Sequence, residues 1–315
     1  MRSEEIGFRP DELSACSRCG RANGPDRAKC LYCGAAMEAR TGAAEPRLEL
    51  TRLEDWEMGW NVAVTSSGSP DAAEQAATIL PVDGEIIKKI LGLATPIPVT
   101  RVATEREGLL IGERLGKLGL ATAVISDGEL SPGTPPVRLR GMERRGDVLL
   151  LEPFNGKPAI DLQADKLALI VAGTIVESRS ETVETRKKRS NKTISEATSA
   201  TDECVIDIYS DDDPTGWRIR FGFDFSCLGQ ERSMFAAENA RRLARWLAAQ
   251  APNARFVEDY NSCRRLLDGI WEPEVRKESL GVQRTGFGRV EMNSAVVTSN
   301  LRQFTKFSRL QYLTL

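Results

Sequence analysis

Four cysteines, Cys16, Cys19, Cys30 and Cys33, constrain this chain more than any other feature. They form two Cys-x-x-Cys pairs separated by residues 20–29. Two residues between cysteines let one tight turn aim both thiols at the same point. A tetrahedral zinc ion asks for four such ligands at about 2.0–2.3 Å. Gly20 and Gly34 each follow the second cysteine of a pair, and a glycine there can take φ > 0, so the backbone can curl around the sulfur. The intervening Asn23-Gly24-Pro25 is a turn signal that suits a short hairpin. The alternatives are a redox pair or disulfides. A thioredoxin-like pair would open a helix in a βαβ pattern, whereas both pairs here sit among turn residues in a segment too short for that fold. The expected ligands are therefore Cys16, Cys19, Cys30 and Cys33 on Zn(2+). With all four positions filled by protein the ion is structural rather than catalytic.

The same residues, with Gly20, Asn23 and Gly34, resemble the small zinc-ribbon family: Cys-x-x-Cys-Gly, a polar loop with Asn, then Cys-x-x-Cys-Gly. The resemblance covers residues 12–38 and implies a metal-ordered knuckle pair there. It implies nothing about the remainder of the chain.

Histidine is absent from all 315 residues. That removes Ser–His and Cys–His nucleophilic mechanisms, histidine general bases and zinc sites built with histidine. No phosphate loop or paired-acid motif replaces them, so the chain is expected not to be an enzyme. A net charge of −2 gives no global pull towards nucleic acid or anionic membrane. Cys204, Cys227 and Cys263 lack ligand spacing and read as buried free thiols. Four clustered and three scattered cysteines fit a reducing cytoplasm. The start of the sequence is polar and acidic, unlike a secretory leader, and the most apolar run, residues 167–176, is broken by Gly173 and Thr174 and is too short to span a membrane.

The expected fold class is multidomain α+β. After the ribbon and a linker at residues 39–46, residues 48–127 read as a small α/β domain, with a ferredoxin-like sandwich as its expected form. Strands at 61–66, 98–103 and 120–126 alternate with helices at 71–80, 83–93 and 104–118. Thr104 and Glu107 form a capping box. Gly108, Gly112 and Gly116 recur on that third helix, and each costs about 0.5–1 kcal/mol against alanine. Close backbone packing is the expected offset.

Residues 127–136 read as a boundary, and residues 137–255 as a β-rich domain. Its strands are expected at 137–139, 147–151, 167–171, 174–178, 204–209, 216–220 and 221–225, with an amphipathic helix at 233–250. Trp217, Ile219, Phe221, Phe223 and Phe225 alternate with polar residues, the period of a strand. Many strands followed by one closing helix resemble the pleckstrin-homology-like fold in element order, which hosts many unrelated ligands. Arg186, Lys187, Lys188, Arg189 and Lys192 form a basic run, a candidate anion or partner contact, set against the plainer reading of a solvated loop. Asp211–Asp213 reads as a hairpin turn rather than a calcium loop. Residues 256–315 hold a helix near 259–271 and irregular sequence. Their end is basic and aromatic, expected to pack back on its own domain rather than wait for a partner.

These readings point to a cytoplasmic, non-enzymatic adaptor or regulatory protein with a protein partner. The alternative is a nucleic-acid-binding protein acting through the ribbon and basic segments. Within residues 16–33, Arg18, Arg21, Arg27 and Lys29 against Asp26 give +3, and four thiolates on a divalent ion add −2, leaving about +1, weak for phosphate binding.

Overall fold

Four polar residues set where the first three helices begin. Ser69 accepts from Ala72 N at 3.2 Å ahead of Pro70, Asp83 accepts from Glu85 N at 2.8 Å, and Thr104 and Glu107 cap each other reciprocally. The computed structural model describes residues 13–24, 27, 29–37, 53–54, 56–80, 82–187, 190–286 and 289–315. The architecture is mixed α+β. Contacts gather Met1–Leu48 into one compact unit and Glu49–Leu315 into another. Apart from Leu48, the segments read from sequence at 48–127, 137–255 and 256–315 all lie within the second unit. The linker at 39–46 lies outside the described residues.

In the first unit β1 (Ser14–Ala15) pairs antiparallel with β2 (Ala22–Asn23), and Lys29 bridges Ala36. The second unit opens with β3 (Trp60–Val64), α1 (Pro70–Ile79), α2 (Gly84–Leu91), β4 (Ile97–Val102), α3 (Glu105–Lys117), β5 (Thr122–Ser126) and the single turn α4 (Asp127–Leu130). The sheet order is β4-β3-β5, all antiparallel. It has three strands with β3 central, whereas the ferredoxin-like βαββαβ order would need a fourth. Two of the α3 glycines pack as expected. A Cβ on Gly108 would lie 2.7 Å from Val124 Cγ1, and one on Gly112 2.9 Å from Thr122 Oγ1. Gly116 faces open space, so sheet packing offers no offset at that position.

The remaining elements are β6 (Val137–Arg145), β7 (Val148–Pro153), β8 (Ile160–Gln163), β9 (Leu167–Lys187), β10 (Ser190–Ser210), β11 (Trp217–Asp224), α5 (Ala236–Gln250), β12 (Arg255–Val257), α6 (Tyr260–Leu267), β13 (Glu274–Gly286), β14 (Arg289–Ser299) and α7 (Leu301–Leu313). They form one sheet in the order β13-β14-β9-β10-β11-β6-β7-β8, with β12 beside the inner part of β9. The β11–β6 and β12–β9 pairs are parallel and the others antiparallel. Leu243 and Leu247 of α5 pack on Leu139, Leu149, Ile170, Ile206 and Trp217, the core of this sheet.

Four differences from the sequence reading have physical causes. Residues 167–178 are not two strands broken at Gly173, because β9 runs through it. A Cβ there would meet Phe304 at 2.7 Å and Tyr260 at 2.8 Å, so the glycine admits aromatic rings rather than turning the chain. Residues 190–199, read as loop, are strand β10, and residues 274–299, read as irregular, are the hairpin β13–β14. The outer half of β9, from Glu177 to Lys187, thereby gains β10 on one side and β14 on the other. At about 3.3 Å per residue this four-stranded arm is roughly 33 Å long. The arm is held by its ladder and by surface pairs instead of a core. Arg179 reaches Glu278 at 2.9 Å and Glu181 at 2.8 Å, spanning the buried Ala295 and Val297 of β14. Phe221 also departs from the expected inward alternation and is 79% exposed, because β11 turns away from β10 beyond Ile219.

The C-terminal tail is helix α7, and Phe304, Phe307 and Leu310 are fully buried. Tyr260 lies edge-on to Phe304 at 5.0 Å, and Tyr209 stacks on Tyr312 at 5.0 Å. The helix also binds the three-stranded sheet: Lys306 Nζ donates to Asp127 Oδ1 at 3.0 Å, and Gln311 Nε2 to the Pro96 carbonyl at 2.8 Å.

Candidate metal centre

The two cysteine pairs fold into near-identical knuckles. Gly20 N donates to the Cys16 carbonyl at 2.8 Å and Gly34 N to the Cys30 carbonyl at 3.0 Å. Each turn then closes in the same way, with Cys16 N on Arg21 O at 2.9 Å and Cys30 N on Ala35 O at 2.8 Å. Gly20 and Gly34 sit at φ 70° and 69°, in the left-handed region that favours glycine. Asn23, 2% exposed, ties the knuckles together. Its Oδ1 accepts from Leu31 N at 2.8 Å, and its Nδ2 donates to Arg21 O at 2.8 Å and to Cys30 Sγ at 3.5 Å.

The four sulfurs lie within 4.8 Å of one another, with Cys16–Cys33 and Cys19–Cys30 both at 3.6 Å. In a tetrahedron with metal–sulfur bonds near 2.3 Å the sulfurs stand about 3.8 Å apart. The cluster fits an ion held by four thiolates. The separations are far longer than the roughly 2.0 Å of a disulfide bond. Backbone donors already favour thiolate: Arg18 N points at Cys16 Sγ and Tyr32 N at Cys30 Sγ, both at 3.4 Å. The Arg18 and Cys19 N–H groups lower the Cys16 thiol. At Cys30, burial would raise the thiol, but donors from Tyr32, Cys33 and Asn23 outweigh it and bring it down to about 6. At Cys19 the Arg21 N–H lowers the thiol, but burial and the neighbouring sulfurs prevail and push it up to about 12. Four adjacent thiols cannot all ionise without a cation among them.

The other candidate site residues lie elsewhere. Arg186 and Lys187 end β9 and Lys192 lies near the start of β10, at the tip of the arm, while Lys188 and Arg189 are outside the described residues. The register adds a partner that sequence did not reveal, since Arg289 of the second hairpin stands opposite Lys187. Only the pairing of two hairpins distant in sequence brings these together. Cys204 and Cys227 are half-buried and Cys263 buried, all far from ligand spacing, and burial raises each thiol, Cys227 to about 11 and Cys263 to about 12. Asp211–Asp213 lie in the turn between β10 and β11, where Asp213 N donates to Ser210 Oγ at 3.0 Å and Thr215 N to Asp213 Oδ1 at 2.8 Å.

The buried charges are bound to one another. Arg218 grips Asp207 with two bonds of 2.7 Å. Asp127 accepts from Gly59 N at 2.9 Å, Asn61 Nδ2 at 3.1 Å, Arg101 Nε at 2.8 Å and Lys306 Nζ. Trp271 Nε1 completes the network on Asn61 Oδ1 at 2.8 Å. No helix among the described residues is long and apolar enough to cross a membrane. No protein-family model matches the sequence, and no curated protein or solved structure matches it.

Proposed function

We propose that the protein is a non-catalytic adaptor or regulatory protein of the cytoplasm, in which zinc held by Cys16, Cys19, Cys30 and Cys33 gives an N-terminal ribbon its shape. The observation that carries this reading is the closed four-thiol cluster, whose sulfur spacing suits a tetrahedral ion with no position left for water. Bound there, zinc supplies folding energy and the four thiolates hold it. The buried charged residues support the same reading: Asp127, Asp207, Arg218 and Lys306 are consumed by each other and by Arg101, so they are spent on holding the fold together. Residues 12–38 are read as a zinc ribbon, and residues 137–255 as pleckstrin-homology-like through the order of strands and closing helix α5. A protein partner is the reading's consequence. Affinity capture from native cytoplasm with the intact chain and with Cys30→Ser as bait tests it. A stoichiometric protein partner supports the adaptor reading, and its loss from the cysteine variant assigns contact to the ribbon.

A second reading, nucleic-acid binding through the ribbon and basic segments, is favoured by one observation. The arm places Arg289 opposite Lys187, next to Arg186, with Arg284 exposed nearby on β13. Retention on DNA or RNA that falls steeply with salt, in the absence of a protein partner, would favour this reading over the first.

A further inference from the structure

β10 and β11 pair only from Ile206–Ile219 to Ile208–Trp217. Beyond that point β10 follows β9 into the arm, while β11 swings towards β6 and meets it again at Asp224–Gly141. The wedge between the diverging strands is a cavity of about 1110 Å3, closed on one side by the first turns of α5. Ile219, Phe223 and Ala240, all buried, form its apolar floor. At its mouth Phe221 is 79% and Met234 99% exposed, and the adjoining Phe235 is 73% exposed. Three large apolar side chains left together in water mark a binding surface rather than ordinary surface scatter.

The charges around this cavity do not balance. Arg220 is spent on Glu203, which also accepts from Phe221 N at 2.5 Å. Arg138 stacks 4.1 Å from the Phe154 ring centre and donates to the Phe221 carbonyl, but no carboxylate among the described residues lies within 4 Å of it. Arg232 likewise has no carboxylate within 4 Å among the described residues, although its charge reaches Asp224, as that of Arg138 reaches Glu203. The wall as a whole carries three guanidinium groups, Arg138, Arg220 and Arg232, against two carboxylates, Asp202 and Glu203, a net excess of one positive charge. The volume exceeds the roughly 300–1,000 Å3 of ordinary ligand clefts, and an apolar floor with a few polar groups at the rim is how such clefts are built.

We infer that this cavity binds an amphipathic anion with a linear apolar chain, the chemistry of a fatty acid. The chain lies on Ile219, Phe223 and Ala240, the carboxylate meets Arg138 and Arg232, and Met234 and Phe235 close over the mouth. The inference is independent of the metal centre.

Calorimetric titration of the full chain with sodium dodecanoate, dodecan-1-ol and dodecylammonium tests it. Two variants at exposed positions accompany the titration, Arg232→Ala and Ala237→Trp, each checked for native circular dichroism. Saturable dodecanoate binding near one equivalent is expected, weaker by about tenfold in Arg232→Ala, as for loss of a charged hydrogen bond. Binding should be lost in Ala237→Trp, where the indole fills the wedge, and both the alcohol and the ammonium should bind more weakly than the acid. Absence of saturable dodecanoate binding would overturn the inference, as would equal binding by both variants or by dodecylammonium. Co-flotation with phosphatidylglycerol vesicles separates the remaining source of the same chemistry. Vesicle binding without dodecanoate binding would assign Phe221, Met234 and Phe235 to a lipid surface and overturn the cavity site.

Discussion

Asp127→Asn tests, at a single buried carboxylate, the network that joins α7 to the three-stranded sheet. Asp127 lies at the junction of the three-stranded sheet with α7, its side chain 6% exposed, and its cationic partners Lys306 and Arg101 are 10% and 14% exposed. Burial by itself would raise its pKa, but Lys306, Arg101 and Asn61 outweigh that and hold the carboxyl below the usual range. Asparagine keeps the size but leaves two cations without their anion. Breaking a buried pair in this way costs about 3–5 kcal/mol. The lower end applies here, because Arg101 also donates to backbone carbonyls of Glu54 and Glu57 and is partly solvated. A loss of roughly 3 kcal/mol should lower the melting temperature by roughly 6–12 °C for a body of this size. The pH dependence has a definite sign. A carboxyl held below its unfolded value contributes stability that is present above about pH 4 and is lost as pH falls through the folded value. Asp127→Asn should therefore flatten the acid limb of the stability curve. Burial lowers Lys306 by more than Asp127 raises it, so its cost persists at neutral pH and is relieved as pH rises from its folded value towards its unfolded one near 10.4. Urea melts of the wild type and Asp127→Asn from pH 3 to 11, followed by circular dichroism, measure both effects. A destabilisation below about 0.5 kcal/mol, the range of ordinary surface substitutions, would refute the claim that this network joins α7 to the sheet.

Other substitutions separate packing from propensity. Gly173→Ala places a methyl against the rings of Phe304 and Tyr260 and should cost about 1–3 kcal/mol. Gly116→Ala, in open space on α3, should be neutral or stabilise by up to about 1 kcal/mol; thermal melts should show a fall for Gly173→Ala and none for Gly116→Ala. Phe304→Ala empties a fully buried site between β9, α6 and α7 and should cost about 3–5 kcal/mol in urea melts. An unchanged midpoint for Phe304→Ala would mean the C-terminal helix does not dock as described.

Legibility in the sequence followed burial. The cysteine knuckles were readable because metal geometry fixes the ligand spacing, and the position of the glycine after each pair, independently of any packing. The helices of the α/β segment were readable because Ser69, Asp83, Thr104 and Glu107 are local signals. The arm was not, because neither face of its outer half is laid against a core. Ser190 to Ser199 carry no apolar alternation, and a strand stabilised by its ladder and by pairs such as Arg179–Glu278 leaves no period to detect. Gly173 misled for a related reason. A glycine that ends a strand and a glycine that admits two aromatic rings look alike until the rings arrive from residues 260 and 304. The basic run was visible as charge, but its neighbour Arg289 comes from a hairpin about a hundred residues away and is found only through the register.

The central claim is that one metal ion, bound by Cys16, Cys19, Cys30 and Cys33, orders the N-terminal unit. Elemental analysis of the purified full chain, paired with that of Cys30→Ser, tests it most directly. The account predicts about one equivalent of zinc in the wild type and a clear loss in the variant, since a four-thiolate structural site needs each ligand. Wild-type protein purified with zinc supplied that holds no metal, or a variant that retains a full equivalent, would contradict it.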